Sequence, residues 1–352
     1  EGDEEVKQKV LALLDCEPKV GNFIEVPVFR IRPDDPKPLA EGHRLGTYRI
    51  LREIGRGGMA SVYLAERAND EFKSYVAIKL IRRGMGIDEI VSRFRSERQI
   101  LARLNHDNIA KLLDGGTTDD GLPYFVMEYV KGRPIDKYCD NRNLSIGDKL
   151  KLFQNVCSAV HFAHQNLVVH GDLKPGNIFV TDTGIPKLLD FGIARVLDPD
   201  QFPTLTQAEL WSMTPAYASP EQLRGEAITT ASDIYSLGVL LYRLLTGHLP
   251  SRLNRDSRLG VMREDGAQVL RTQLTCDLES IVAMAMNQDQ NRRYASAGHF
   301  VDDIERYLLN LPVLAHKDTV GYRVAKFVIR HGFGIVLVCA LLIILTLLMR
   351  LL

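Results

Sequence analysis

Two short polar runs constrain this chain more than any other feature: His170-Gly-Asp-Leu-Lys-Pro-Gly-Asn177 and, after a strand-like stretch, Asp190-Phe191-Gly192. Within about twenty residues they place two carboxylates, an amide and a lysine, a set suited to holding a divalent metal and activating a hydroxyl. Isolated three-letter matches arise by chance, so the reading depends on partner motifs occurring in order and at workable distances.

Upstream, the pattern from Tyr48 is one of strands. YRILREIGRGGMASVYLAER reads as a strand, a glycine-rich turn and a second strand, and YVAIKLI (75–81) as a third. The turn carries Gly55, Gly57 and Gly58. Glycines let a backbone approach phosphates closely, presenting amide donors with no Cβ in the way. Because a strand and not a helix follows, dinucleotide-fold and Walker-type readings are disfavoured. Residues 88–104 form an amphipathic pattern with Ile90, Phe94, Ile100, Leu101 and Leu104 on the apolar side, and Glu97 lies within it. Further strands are expected near 109–118 and 124–130. Beyond them the chain reads as helical, including 146–166 and an apolar helix over 231–247 entered at Ser232 or Asp233. His161 and His164 lie three apart, but no third ligand accompanies them, so a structural role is expected.

With 352 residues and 45% hydrophobic content, the chain can bury a large core in one large domain or two smaller ones. Lys+Arg and Asp+Glu are equal at 44 each, leaving no basic footprint for nucleic acid. The five cysteines are odd in number and never paired as CxxC, which argues against a disulfide framework or a zinc site and for a reducing compartment. The acidic start, Glu1 to Glu5, is unlike a secretory signal. Residues 3–15 have the spacing of a short amphipathic helix, and the prolines of 16–41 read as a linker.

Near the other end, residues 332–349 (GFGIVLVCALLIILTLLM) run uncharged for a length that predicts a single membrane span. Lys317, Arg323, Lys326 and Arg330 precede it against one acid, Asp318. By the positive-inside rule the preceding domain then faces the cytoplasm from the inner (plasma) membrane.

Glycine loop, VAIK lysine (Lys79), helix glutamate (Glu97), HxDLKPxN, DFG and Ser219-Pro220-Glu221 follow one another in the family order. On these motifs the chain resembles the bacterial Hanks-type Ser/Thr protein kinases over roughly residues 48–311. The resemblance implies an α+β, bilobal fold with a β-rich N-lobe (48–130) and a helical C-lobe (131–311). A helix and linker (1–47) would precede it, and a basic juxtamembrane segment (312–331) and a transmembrane helix (332–349) would follow. It implies ATP and Mg²⁺ as cofactors and protein substrates, the chain itself included, with membrane lipid and a second copy as further partners. Asp172 would orient the incoming hydroxyl, Lys174 would neutralise charge near the γ-phosphate, and Asn177 and Asp190 would ligate the metal. Lys79, paired with Glu97, would reach the α- and β-phosphates under the loop of Gly55, Gly57 and Gly58. Val62 and Ala77 would cover the adenine and Phe179 would underlie it, with Met127 as gate and Glu128 to Val130 as hinge. His170, Phe191 and Leu101 would stack between the lobes. Thr214 would bond the Asp172/Lys174 pair, Asp233 would brace the catalytic loop and Arg293 would pair with Glu221. Thr204 and Thr206 are the autophosphorylation candidates.

Two positions depart from the family pattern. Ala60 replaces the third loop glycine, which predicts a modest loss of backbone freedom. Gly171 replaces the arginine that usually pairs with a phosphorylated activation loop, making this a non-RD variant. The alternative function is a catalytically attenuated pseudokinase, a nucleotide-binding signalling scaffold. A small-molecule kinase on the same fold is the weaker third.

Overall fold

The computed structural model describes residues 39–57, 60–68, 74–81, 104–190, 195–196, 214–250, 276–316 and 318–332. Six strands come first: β1 (Arg44–Leu45), β2 (Tyr48–Arg56), β3 (Ala60–Arg67), β4 (Tyr75–Ile81), β5 (Leu112–Thr117) and β6 (Pro123–Glu128). They form one antiparallel sheet in the order β1-β2-β3-β4-β6-β5.

Side-chain alternation divides this sheet into a core face and a working face. Tyr63, Ala65, Val76, Ile78, Leu80 and Val126 belong to one buried cluster. The two-residue period of a strand then turns Val62, Ala77, Lys79 and Met127 the other way. Register brings this second set together, with Val62 opposite Lys79 and Ala77 opposite Met127. A slip of one residue would exchange the faces and bury Lys79 in the core.

The chain continues through β7 (Gly132–Pro134), α1 (Ile135–Asn141), α2 (Ile146–Gln165), β8 (Val168–Val169), β9 (Ile178–Thr181), β10 (Pro186–Leu188) and β11 (Arg195–Val196). Then follow α3 (Pro220–Leu223), α4 (Thr230–Thr246), α5 (Cys276–Ala285) and α6 (Ala297–Leu308). Strands pair as β10-β9-β7 and as β11-β8. Helices α1, α2, α4, α5 and α6 enclose the larger core, which includes Leu150, Phe153, Tyr235, Leu240, Ile281 and Phe300. Helix α4 is buried on nearly every side, so its sequence is apolar all round instead of striped. This α+β, two-lobed arrangement is the fold expected from the sequence.

Helix α4 begins earlier than the sequence suggested. Thr229 is the N-cap, its backbone N–H donating to Ser232 Oγ at 3.2 Å, whereas Ser232 and Asp233 lie inside the first turn and are buried. Ser232 still takes part in the cap from the third helical position by accepting from the Thr229 N–H, while the Asp233 carboxylate serves the buried partners described below. Helix α2 starts as expected: Ser145 Oγ accepts from Asp148 N at 3.2 Å.

Close backbone approach fixes one glycine here. A Cβ at Gly132 would stand 2.4 Å from the Val180 carbonyl oxygen and 2.8 Å from its carbon. Gly132→Ala must therefore part β7 from β9, and urea denaturation should show a loss of about 1–3 kcal/mol. An unchanged midpoint would mean that the two strands separate freely.

Among the described residues, no helix is long and apolar enough to cross a membrane. The stretch 332–349 lies outside them except for Gly332. So do the expected helix over 3–15, the linker up to Pro38, residues 88–103 with Glu97 and Leu101, Gly58, Phe191, Thr204 and Thr206.

Candidate active site

The loop at 170–174 ends in a single 3₁₀ turn, Pro175–Asn177, which folds Asn177 back onto Asp172. Asn177 Nδ2 donates to the Asp172 backbone carbonyl at 2.8 Å and to Asp172 Oδ2 at 3.1 Å. Lys174 Nζ lies 2.7 Å from the same Oδ2 and donates to Thr214 Oγ1 at 2.9 Å. Asp172, Lys174, Asn177 and Thr214 thus form one bonded group. With its nitrogen committed, Asn177 keeps its amide oxygen as a hard donor, the chemistry that Mg²⁺ prefers.

The second polar run is pinned to the first through backbone. Leu189 N–H donates to the Asn177 carbonyl at 2.8 Å, and the next residue, Asp190, has φ +50°. A non-glycine residue in that region carries strain of about 1–3 kcal/mol and persists only where its surroundings hold it. Lys79 does part of the holding: its Nζ lies 2.6 Å from Asp190 Oδ1. That ion pair joins the working face of β4 to the segment following β10. Glu97, the expected partner of Lys79, lies outside the described residues.

Buried groups brace this loop from below. Asp233 is fully buried and accepts from His170 N, Gly171 N and His164 Nε2, each at 2.8 Å. Burial alone would raise its carboxyl, but the bonds from His164 and Gly171 outweigh that and hold it below the usual value. His164 therefore has a structural partner, the role expected for it when no third ligand accompanied the His161/His164 spacing. His170 Nε2 donates to the Leu189 carbonyl at 3.1 Å, while its Nδ1 accepts from Asp172 N at 3.2 Å. Those roles require the neutral ring protonated on Nε2, and burial lowers His170 in agreement.

Gly171 has a local reason to be glycine. Its φ is +73°, a region glycine enters without a Cβ penalty. Ala60 opens strand β3 opposite Ile81 and is not among the residues with positive φ, so its backbone is one that alanine adopts without strain. Gly57 N–H closes the loop onto the Ala60 carbonyl at 2.8 Å. Cβ atoms at Gly55 and Gly57 would make only ordinary contacts, 3.8 Å to Val62 and 3.6 Å to Ala60. Packing within the chain does not demand glycine at either place, which fits a cradle kept clear for a ligand.

Of the expected base-binding residues, Met127 is half-buried, Val130 is buried, and Phe179 on β9 is half-buried opposite Pro134 and Lys187. Glu128 is more than hinge backbone, since its carboxylate lies 3.0 Å from Lys187 Nζ on β10. Farther down, Arg293 and Glu221 form a two-pronged pair at 2.7 and 2.9 Å, both side chains fully buried.

Sequence reasoning missed Gln222. Its Oε1 accepts from Ser219 N at 2.9 Å and its Nε2 donates to the Gly171 carbonyl at 2.7 Å. The pattern Ser219-x-x-Gln222 ahead of a helix is a capping-box signature and was the available signal. Nothing local indicated the reach to residue 171. The Glu128–Lys187 pair was equally invisible, because its members are far apart in sequence.

A family model described as "Protein kinase domain" matches residues 48–302. The probable serine/threonine-protein kinase PknB of Bifidobacterium longum is 38% identical over 279 residues, covering 75% of this chain and 40% of that protein. The serine/threonine-protein kinase PrkC of Bacillus subtilis is 38% identical over 268 residues, 74% of this chain and 40% of its own length. PknB of Mycobacterium tuberculosis is 34% identical over 275 residues, 75% and 43% respectively. The chain spans about two fifths of the length of these curated relatives. With Lys79 bonded to Asp190 and the family match covering most of its length, the chain belongs to the protein kinase domain family, among relatives that are bacterial serine/threonine kinases.

Proposed function

We propose that this chain is a membrane-anchored Ser/Thr protein kinase that uses ATP and Mg²⁺ and phosphorylates proteins, itself included. One observation supports this most: Asp172, Lys174, Asn177 and Thr214 are bonded together, with Asp190 tied across the lobes to Lys79. Phosphoryl transfer asks mainly for positioning and charge neutralisation. Asp172 orients the acceptor hydroxyl, and Lys174 offsets charge at the transferring group. Asn177 and Asp190 are the residues to hold Mg²⁺, which when bound draws charge from the phosphate oxygens. Lys79 and the loop of Gly55, Gly57 and Gly58 take the phosphates, with Glu97 as the further partner of Lys79. Val62, Ala77, Met127, Glu128, Val130 and Phe179 surround the base. A scaffold reading gains no support, since the similar proteins are named as serine/threonine-protein kinases and this chain carries Lys79, Glu97, Asp172, Lys174, Asn177 and Asp190.

The test is transfer of label from ATP to a generic protein acceptor by the full chain in detergent with Mg²⁺. Label on Ser and Thr supports the reading, and nucleotide binding without transfer under varied metals overturns it. Membrane anchoring rests on the uncharged length of 332–349 and the basic residues before it.

Gly171 leaves no arginine at that position to receive a phosphorylated activation loop. Thr204→Ala/Thr206→Ala is therefore expected to keep its initial rate within a fewfold of the parent. Abolished turnover in a folded variant would overturn that expectation. Regulation is then assigned to the membrane span, to contacts with a second copy or to the position of the Glu97 helix.

A further inference from the structure

After α6 the chain does not leave the catalytic domain freely. Asp303, fully buried, accepts from Tyr294 OH and Ala315 N, each at 2.9 Å, and so fixes the turn at 314–315. Residues 320–332 are then helical. Tyr322 OH donates to buried Asp277 of α5 at 2.8 Å and accepts from Val313 N at 3.0 Å. His316 stacks on the Tyr322 ring with centroids 4.3 Å apart. Lys326, one turn on, pairs with the other oxygen of Asp277 and lies 5.8 Å from the centre of the Tyr322 ring. Burial first, with the bond to Asp277, pushes the Tyr322 phenol up to about 12, so it stays a donor at neutral pH.

With Tyr322 and Lys326 facing the lobe, the opposite side of this helix carries Val320, Val324, Phe327 and Val328 at helical spacing. They are 80, 53, 51 and 46% exposed. Arg323 and Arg330, seven residues apart, edge this stripe, and 320–332 contains no acid. The uncharged run begins where the described helix ends, at Gly332, and thirteen helical residues span only about 20 Å.

We propose that the helix over 320–332 is a strut fixed to the C-lobe whose outer apolar face lies in the headgroup region of the bilayer. The proposal rests on reading 332–349 as a membrane span. An amphipathic helix with aromatic and aliphatic residues on one face and arginines at its edge suits that layer, its apolar side reaching about 5–10 Å inward. In the structure Arg323 pairs with Asp318 and Arg330 Nε lies 3.0 Å from His331 Nε2; both side chains stand at the stripe's edge, where lipid phosphates would compete for their guanidinium groups. Because Asp277 holds both Tyr322 and Lys326, the lipid-facing stripe and the catalytic lobe are oriented together.

The chain has a single tryptophan, Trp211, so Trp211→Phe makes a silent background. Into it go, one at a time, Val324→Trp, Phe327→Trp, Leu341→Trp within the uncharged run and Tyr75→Trp on an exposed N-lobe position. Each full chain is reconstituted in vesicles of phosphatidylcholine and phosphatidylglycerol with brominated acyl chains. The expected result is strong quenching at 341, clear quenching at 324 and 327, and none at 75. Quenching at 341 alone overturns the strut's lipid contact and leaves the membrane span standing. No quenching at 341 overturns both. Unquenched but blue-shifted emission at 324 and 327 would place a second copy on the stripe and also overturn the proposal.

Discussion

Asp172→Asn is expected to leave a folded chain that still binds nucleotide but transfers phosphate more slowly by about 10²–10⁴-fold. The geometry explains why an isosteric change should cost so much. Asp172 Oδ2 already faces two donors, Lys174 Nζ at 2.7 Å and Asn177 Nδ2 at 3.1 Å. An asparagine must put its oxygen there, which forces its NH₂ group into the place of Oδ1. That is the position left to accept from an incoming hydroxyl, so an acceptor becomes a donor. Lys79, Asn177 and Asp190 keep their places, and nucleotide-dependent thermal shift should be retained. Initial rates with labelled ATP check the loss, and parental rates in the variant would remove Asp172 from the role proposed.

Arg293→Met should have the largest effect on stability, about 3–5 kcal/mol. Glu221 is fully buried, accepts both guanidinium bonds and takes a third from Ser232 Oγ at 2.8 Å. Without Arg293 its charge is left in the core with no counterion. The double variant Arg293→Met/Glu221→Leu should recover much of the loss, because two apolar groups leave no unpaired charge. Burial would raise Glu221, but the bonds and charge of Arg293 hold its carboxyl below the usual value. A carboxyl depressed in the folded state stabilises above its unfolded pKa and loses that contribution as pH falls through the folded one. The parent should therefore weaken below about pH 4, where the double variant changes less. Urea midpoints measured at neutral and acid pH decide it, and equal acid sensitivity in both would show that the pair is not responsible.

Local pattern made much of this legible. The apolar and β-branched runs VYLAER and YVAIKLI marked β3 and β4, and the polar runs at 170–177 and 190–192 carried their chemistry in consecutive residues. Helix α2 was readable from the spacing of its apolar positions over 146–166. The start of α4 was misread because Ser232 and Asp233 look like N-caps in sequence, yet Thr229 holds that place, Ser232 answers it from the third helical position and Asp233 is committed to buried partners.

The sequence by itself determined the chemical types available, the family order of the motifs and that Lys79 lies across the strand from Ile78 and Leu80. Those follow from covalent neighbours and from the periods of strand and helix. Only the tertiary structure decided that Lys79 meets Asp190, that Gln222 reaches the Gly171 carbonyl and that Tyr322 and Lys326 close on Asp277. These contacts join segments distant in sequence. They form because burying a polar group costs free energy unless it finds a partner, and which partner lies within reach is set by how the helices and sheets pack.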